Sequence, residues 1–381
     1  MEYKKLGESD IYVSPLCLGT MTWGTQNNYA ESNDLMNFAY ENGINFIDTA
    51  EQYPAPSTKE KYGISEKIIG EWINEKKIKN KIIIATKMSG PGVPWIRNGD
   101  LQYSKNKIKD AVEGSLRRLK TEYIDLYQLH WPERLSDQFG INRQINLKGN
   151  FNNFEDILNT FEILIKEGKI RCLGLSNENF EGLTEYFKII RRNNFSKIVS
   201  MQNRFNLIYR NYDNNFFNLC KDNNISILGY SPLAFGMLTG KYINNSPDKS
   251  RLKLFPNYFN RYSGKESKNA VLKYSKLSKS MELPLIKLSL PFCLNQSFLT
   301  SAIIGSTNVF QLKEIIEATN IKLNKEIIDK IDKIHAENKD PTREKEFNNL
   351  IYLKNGLILI LKGDFINFIK KFIKILKKII R

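Results

Sequence analysis

Histidine and cysteine are scarce in this chain of 381 residues, which contains two histidines and four cysteines. The cysteines are widely spaced, form no CxxC pair and have no histidine partner nearby in the sequence. This pattern argues against a disulfide framework and against a zinc site, and we expect no bound metal. It is typical of a protein in a reducing compartment. The four cysteines are Cys17, Cys172, Cys220 and Cys293.

Hydrophobic runs long enough to cross a membrane are also missing. A spanning helix needs about 18 or more consecutive apolar residues, and the sequence has no such stretch. The first residues, MEYKKLGESDIYVSPLCLG, combine early lysines with no continuous apolar segment, which differs from a secretory signal peptide. We therefore expect a cytoplasmic protein.

Positively charged residues are plentiful, and the net charge is +16. Seven lysines and one arginine against Asp364 alone give residues 348–381 a balance of +7. This uneven distribution, together with the abundance of Lys, Asn and Ile throughout, weakens the case for a nucleic-acid partner, and none is expected. The basic balance suits an anionic cofactor.

Eight short apolar segments alternate with amphipathic helical patterns such as 108–120, 154–166 and 180–190. The candidate strands are Val13–Leu18, Asn45–Asp48, Ile82–Thr86, Ile124–Leu129, Ile170–Leu175, Ile198–Gln202, Ile225–Tyr230 and Ser301–Gly305. Alternating strands and helices indicate an α/β fold with parallel strands, and eight such units favour a closed (β/α)8 TIM barrel over an open doubly wound sheet. We assign residues 1–340 to the barrel and 341–381 to a C-terminal extension.

Ionisable side chains follow three successive candidate strands. In a barrel of this type the reactive residues lie at the carboxyl ends of the strands, where the sequence has Asp48, Lys87 and His130, with Tyr53 in the loop after Asp48. A lysine ammonium beside the phenol is expected to lower the pKa of Tyr53 from about 10, and Asp48 would hold Lys87 charged. A neutral His130 would donate a hydrogen bond to the substrate. Each residue alone has an ordinary structural explanation, but together they indicate a site that protonates a carbonyl oxygen.

The strings GINFIDTAEQY, IIIATKMSGP and DLYQLHWPE resemble the aldo-keto reductase family, whose catalytic tetrad matches Asp48, Tyr53, Lys87 and His130. The resemblance covers the chain from about residue 5 to about residue 335. It looks nearest to the Tas-like bacterial branch, which is related to potassium-channel β-subunits. It implies an NADPH-dependent reductase of a small-molecule aldehyde or ketone. A cofactor-binding regulatory or redox-sensing subunit with slow turnover is the alternative.

The same resemblance implies a nicotinamide cofactor across the barrel mouth. Its binding residues would be Thr20, Asp48, Ser176, Asn177, Gln202, Tyr230, Ser231, Leu233, Gly236, Lys241, Gly305, Thr307, Gln311 and Glu314. Ile315 stands where an asparagine commonly contacts adenine. The resemblance still implies a preference for NADPH, but the loss of this side chain keeps NADH as a second candidate. Trp23, Trp95 and Trp131 lie near strand ends or in loops and are predicted to line the substrate pocket.

The C-terminal extension lies outside the resemblance. An Asn-Gly pair between apolar runs predicts a hairpin within 350–361. Residues 365–381, FINFIKKFIKILKKIIR, form the pattern of an amphipathic helix with a basic face and a wide apolar face. Such a segment can dock on the barrel or a partner subunit, lie on an anionic membrane surface, or stay disordered, and the sequence leaves all three open.

Overall fold

A computed structural model describes residues 1–100, 102–133, 153–210, 214–339 and 341–342. Within these ranges, eight parallel strands close into a barrel that is surrounded by helices. The predicted (β/α)8 TIM barrel is therefore confirmed. The predicted hairpin and basic helix of the extension lie outside the described residues.

The barrel strands follow the order of the chain, and the last strand closes the barrel against the first. A short antiparallel hairpin precedes them, made of β1 (Lys4–Lys5) and β2 (Tyr12–Val13). The barrel consists of β3 (Leu16–Gly19), β4 (Phe46–Asp48), β5 (Ile83–Met88), β6 (Ile124–Leu129), β7 (Ile170–Ser176), β8 (Ile198–Arg204), β9 (Ser226–Tyr230) and β10 (Leu299–Ile304).

The helices lie between the strands or follow the last of them. They are α1 (Tyr29–Glu41), α2 (Ile64–Lys76), α3 (Lys105–Leu119), α4 (Phe154–Lys166), α5 (Phe180–Asn193), α6 (Asn214–Asp222), α7 (Arg251–Leu254), α8 (Lys265–Ser280), α9 (Ile286–Leu294), α10 (Val309–Ala318) and α11 (Lys325–Glu337). Several begin at asparagine caps. Before α1, for example, Asn28 and Glu31 form a reciprocal capping box, which satisfies backbone donors that the first turn leaves unpaired.

The first predicted strand, Val13–Leu18, is two strands in the structure. Val13 ends the hairpin, and the barrel strand starts only at Leu16. Pro15 lies between them, and a proline has no N–H to donate to a sheet. Its carbonyl still accepts a hydrogen bond from the Ala302 N–H at 2.9 Å, so the break coincides with the entry into the barrel.

Every barrel strand contributes one residue to a small apolar cluster, and the N-terminal hairpin adds three more. The members are Leu6, Ile11, Val13, Cys17, Phe46, Ala85, Leu126, Cys172, Val199, Leu228 and Ile303. Successive side chains of a strand point to opposite faces. Asp48, Lys87 and Gln128 come two residues after Phe46, Ala85 and Leu126, so they point to the same interior, one layer nearer the carboxyl ends.

The helices pack on the outside of the strands through a much larger apolar cluster that contains Trp72 and Phe161. At the end of the described chain, the Ser267 hydroxyl on α8 donates to the carbonyl of Pro341 at 2.7 Å. In the part of the chain that the structure describes, no helix has both the length and the apolar character needed to cross a membrane.

The amino-terminal end of the barrel holds a buried carboxylate. Asp125 on β6 is 1% exposed. Its Oδ2 accepts hydrogen bonds from Lys79 Nζ at 2.7 Å and from the Ile84 N–H at 2.9 Å, and its Oδ1 accepts one from Arg171 at 2.9 Å. Asp125 thus joins β6 to its neighbours β5 and β7, on the side of the barrel away from the strand carboxyl ends.

Replacing this carboxylate should lower stability. In Asp125→Ala the Ile84 N–H and two cations lose their buried acceptor, so we expect the free energy of unfolding to fall by about 3 kcal/mol. Urea denaturation measures the change. Asp10→Ala is the control, because Asp10 also pairs with Arg171 but its side chain is 83% exposed; it should cost no more than about 0.5 kcal/mol. Equal losses in the two variants would contradict the role assigned to Asp125.

Candidate active site

A cavity of about 1530 Å³ opens at the carboxyl ends of the barrel strands. Eighteen residues that the sequence singled out as site residues line its wall, and they come from distant parts of the chain. They are Thr20, Asp48, Tyr53, Trp95, His130, Trp131, Ser176, Asn177, Gln202, Tyr230, Ser231, Leu233, Gly236, Lys241, Gly305, Thr307, Gln311 and Glu314. Lys87, fully buried, lies behind Asp48.

Asp48 and Lys87 form an ion pair in the barrel interior, with Asp48 Oδ2 at 2.6 Å from Lys87 Nζ. Lys87 also donates to the carbonyl of Thr49 at 2.7 Å. The other carboxylate oxygen accepts hydrogen bonds from Gln202 Nε2 at 2.7 Å and from Gln128 Nε2 at 3.3 Å. A buried charge is tolerated when it is paired and its hydrogen bonds are complete. This explains how a carboxylate can end an apolar strand.

Tyr53 and His130 lie next to this pair. The Tyr53 backbone closes a tight turn, its N–H donating to the Ala50 carbonyl at 3.0 Å. Lys87 Nζ is 5.1 Å from the centroid of the Tyr53 ring. The rings of Tyr53 and His130 meet edge to face with their centroids 5.6 Å apart. A phenol and an imidazole therefore meet at the cavity wall, with the buried ammonium next to the phenol ring.

The electrostatics of Tyr53 differ from the expectation. Burial raises the pKa of Tyr53 well above its ordinary value, and the negative charge of Asp48 raises it further. The sequence suggested a lowered pKa because it placed a lysine beside the phenol. In the structure the Lys87 ammonium is bound to Asp48, and burial together with the charge of Asp48 disfavours the phenolate of the free site. Tyr53 consequently keeps its proton and is available as a donor.

His130 is held in its neutral form. Burial lowers the pKa of His130 well below its ordinary value, and the positive charge of Lys87 lowers it further. Its Nδ1 is buried without a hydrogen-bond partner among the described residues. A neutral imidazole carries one N–H, so it can donate a single hydrogen bond to an oxygen in the cavity. This agrees with the protonation state expected from the sequence.

A row of hydrogen-bonded polar side chains continues from His130 along the wall. Asn177 Nδ2 donates to the His130 carbonyl at 2.8 Å and to Ser176 Oγ at 3.1 Å. The Tyr230 hydroxyl donates to Asn177 Oδ1 at 2.8 Å, and Ser176 donates to the Gln202 carbonyl at 2.9 Å. Asn177 has φ +56°, a left-handed conformation that asparagine tolerates better than most residues. These hydrogen bonds fix the side chain of Tyr230 in the wall of the cavity.

The loop after β9 turns sharply around the next part of the wall. Ser231 and Gly236 have positive φ, and a side chain on Gly236 would meet Lys241 Cε at 2.7 Å. Glycine suits position 236 because of its backbone conformation, whereas the contact with Lys241 involves the mobile end of a long side chain that can move aside. Burial lowers the pKa of Lys241, and the nearby positive charge of Arg251 adds to that lowering.

Arg251 is a site residue that the sequence analysis missed. It lies 5.0 Å from the centroid of the Phe259 ring and donates through Nε to Gln26 Oε1 at 3.4 Å. Among the described residues, no carboxylate lies within ion-pair distance of it, and burial lowers the pKa of Arg251 to about 10. The segment after residue 241 has no periodic pattern, so only its basic composition hinted at this role.

Two buried hydroxyls in the same wall have no hydrogen-bond partner within the described ranges, Ser250 Oγ and Ser306 Oγ. Together with Arg251 and Lys241 they form a polar, positively charged end of the cavity. An anion with several oxygens would give each of these groups a partner. This end is therefore suited to phosphate groups.

The segment after β10 borders that positive end. Gln311 Oε1 accepts hydrogen bonds from the N–H and hydroxyl of Thr307 at 3.0 and 3.2 Å, which fixes the start of α10. Arg251 Nη2 lies 3.8 Å from where a side chain on Gly305 would begin. Ile315 is 2% exposed and belongs to the apolar core while it also borders the cavity.

The opposite end of the cavity is aromatic. Trp131 packs on His130 with ring centroids 4.8 Å apart and donates to the Pro91 carbonyl at 3.0 Å, and Trp95 donates to Ser57 Oγ at 3.3 Å. The prediction that Trp23 lines this pocket is wrong. Its side chain is 1% exposed, packs in the core between barrel and helices, and is absent from the wall of the cavity. Being close to a strand end in sequence does not decide which way an indole points.

Comparison with known proteins agrees with this geometry. Residues 15–336 match the model of the Aldo/keto reductase family. The chain is 34% identical to Protein tas of Escherichia coli (strain K12) over 343 residues, which cover 88% of this chain and 98% of that protein. It is 35% identical over 289 residues to an aldo-keto reductase of Babesia bovis, with 69% and 99% of the two chains covered. An uncharacterized oxidoreductase of Bacillus subtilis (strain 168), YrpG, is 30% identical over 332 residues, 86% and 94% of the two chains.

The buried, neutral His130 should make stability depend on pH. Its folded-state pKa lies below the unfolded value of about 6.5, so the unfolded chain binds more protons as the pH falls below 6.5. The contribution of His130 to the free energy of unfolding is fully present above pH 6.5 and is lost as the pH falls below that value. Between pH 7.5 and 5.5, wild type should lose about 1 kcal/mol more than His130→Gln. Urea denaturation at both pH values tests this, and equal losses would show that the pKa of His130 is not lowered in the folded state.

Proposed function

Because the chain belongs to the aldo/keto reductase family, we propose that it is an NADPH-dependent reductase of an aldehyde or a ketone. The chain is an oxidoreductase by its family membership. The observation that supports carbonyl reduction is the convergence of Tyr53, His130 and the Asp48–Lys87 pair on one point of the cavity.

The residues of the wall fit NADPH. A cavity of about 1530 Å³ can hold a dinucleotide together with a small substrate. Arg251 and Lys241 lack a carboxylate partner in the described part of the chain, and phosphate groups would supply one. Ser176, Asn177, Gln202 and Tyr230 provide polar and aromatic contacts for a carboxamide and its ring at the other side of the mouth, while Thr20, Ser231, Leu233 and Gly236 line the path between. When bound, NADPH supplies the hydride that the carbonyl carbon accepts.

The chain's own residues would supply the proton and orient the substrate. His130 donates its single imidazole N–H to the carbonyl oxygen, which places that oxygen beside the phenol. As the carbon is reduced, negative charge develops on the oxygen, and Tyr53 transfers its proton there. The phenolate that forms is stabilised by the Lys87 ammonium, whose position Asp48 fixes. The raised pKa of Tyr53 keeps the phenol protonated until the oxygen becomes a stronger base.

The partner of this site is then a small-molecule carbonyl compound. The apolar end formed by Val93, Trp95 and Trp131 would hold its non-reacting part. Docking of residues 365–381 on a partner or a membrane stays a prediction, as does the cytoplasmic location. The regulatory alternative differs in one observable, since it requires NADPH binding with little turnover.

Tyr53→Phe tests the proposed reaction. The variant loses only the proton donor, so NADPH consumption with a panel of small aldehydes should fall by about 100- to 10 000-fold while the NADPH Kd stays within about twofold. Tyr258→Phe is the control, because Tyr258 is the half-exposed phenol that also borders the cavity; it should keep most of its turnover. Turnover that survives in Tyr53→Phe would refute the assignment, and NADPH binding without any wild-type turnover would favour the regulatory subunit.

Arg251→Met tests the phosphate end. Losing a charge-assisted contact should raise the NADPH Kd about 10- to 100-fold, which fluorescence titration can measure. Lys253→Met removes the same charge two residues away, where the lysine is exposed and paired with Asp248, and should leave the Kd unchanged. A weakening confined to NADPH would assign Arg251 to the 2′-phosphate, and equal weakening of NADH would assign it to the pyrophosphate. An unchanged Kd for both would remove Arg251 from the binding site.

A further inference from the structure

A second buried ion pair lies beside the turn that carries Tyr53. Arg97, in the loop between β5 and α3, donates to both carboxylate oxygens of Glu51, through Nη1 at 2.6 Å and Nη2 at 2.7 Å. The side chain of Glu51 is 3% exposed and that of Arg97 is 17% exposed. A bidentate arginine–carboxylate pair fixes both distance and orientation, which a single point charge does not.

Glu51 is fixed on its other sides as well. Its N–H donates to the Lys87 carbonyl at 3.1 Å, and its carboxylate accepts from the Ser89 N–H at 2.6 Å. Glu51 therefore holds the turn Ala50–Tyr53 against the end of β5, two residues before the phenol. Any movement of Glu51 would move Tyr53 with it, because the Tyr53 N–H closes the same turn on Ala50.

Arg97 connects this turn to the apolar wall. Arg97, Asn98 and Gly99 all have positive φ, at +45°, +56° and +78°. Arginine, unlike asparagine or glycine, rarely adopts this conformation unless its surroundings impose it. Ile96, which precedes Arg97, is buried in a small cluster with Val93, against which Trp95 and Trp131 pack. The ion pair is the charged contact that joins this wall to the turn of Tyr53.

We propose that Arg97 and Glu51 are positioning residues, which set the distance between the proton donor Tyr53 and the wall that holds the rest of the substrate. Neither touches the reacting atoms, and neither lines the cavity. The inference rests on the proposed carbonyl reduction for its kinetic consequence, but the mechanical link between the two loops does not depend on it. Burial opposes the charge of Arg97, yet its hydrogen bonds to Glu51 outweigh that effect and raise its pKa.

Hydrogen exchange tests the link without any activity. In Arg97→Ala, and in the milder Glu51→Gln, peptides covering 50–57 and 93–99 should both exchange faster than in wild type. Arg171→Ala is the matched control, since it removes an arginine from another buried carboxylate, Asp125, at the opposite end of the barrel. It should leave both peptides unchanged. If only one of the two peptides responds to either variant, the pair does not couple the loops and the proposal is wrong.

Steady-state kinetics test the consequence. With saturating NADPH, Arg97→Ala and Glu51→Gln should each lower kcat by roughly 10- to 100-fold, because a small displacement of the donor is costly. The NADPH Kd should stay within about twofold, and the double variant should lose no more than the worse single one, since the pair acts as a unit. Added guanidinium ion at low millimolar concentration should restore part of the kcat of Arg97→Ala and leave the kcat of Arg171→Ala unchanged.

The outcomes separate the two proposals. A wild type that reduces no carbonyl would refute the proposed function, while exchange still decides whether the pair couples the loops. An active wild type whose kcat is unchanged by both substitutions would refute the positioning role. The positioning role would also be refuted if the losses of kcat add in the double variant, or if they match the loss of folded protein. Either result would show that the pair only stabilises the fold.

Discussion

The ion pair between Lys87 and Asp48 is the contact on which the mouth of this barrel depends. Both side chains point into the barrel interior, one layer above Phe46 and Ala85, where an isolated charge would be costly. The pair is tolerated because Gln202 and a backbone carbonyl complete its hydrogen bonds. Asp48 and Lys87 come from the neighbouring strands β4 and β5, but Gln202 reaches Asp48 from β8, so the full set of hydrogen bonds forms only when the barrel closes. The machinery proposed for proton transfer therefore exists only in the folded protein.

Two buried carboxylates with similar hydrogen bonds lie at opposite ends of the barrel. One of them serves stability, and the other lies next to the proposed site of reaction. At the amino-terminal end, Asp125 accepts from two cations and a backbone N–H. At the carboxyl end, Asp48 has equally complete hydrogen bonds, but one side of it borders the cavity. The difference is what lies beyond the carboxylate. Lys79 and Arg171 enclose the first, which makes it a structural joint, and an accessible cavity makes the second able to influence Tyr53 and a bound molecule.

Much of the fold could be predicted from the sequence, because strands and helices leave periodic patterns. The strand 124–129 and the helix 154–166 agree with the structure to the residue, and eight alternating units left few topologies open. The ends of the apolar segments also placed Asp48 and Lys87 at strand ends. Properties that depend on surroundings escaped prediction. Trp23 lies in the core, because tertiary packing decides which way its side chain points. Tyr53 has a raised pKa, because tertiary contacts set its desolvation and the pairing of the neighbouring lysine.

The roles of two arginines at the barrel mouth could not be predicted from the sequence. Arg97 lies in the loop between β5 and α3, and Arg251 begins the one-turn helix α7. Nothing in the sequence around either arginine distinguishes their roles. In the structure, Glu51 binds both terminal nitrogens of Arg97, which makes that residue part of the framework. Arg251 has no carboxylate within ion-pair distance among the described residues and borders the cavity, which makes it a contact for an anion. The role of a cation follows from its partner, so a net charge of +16 cannot reveal it.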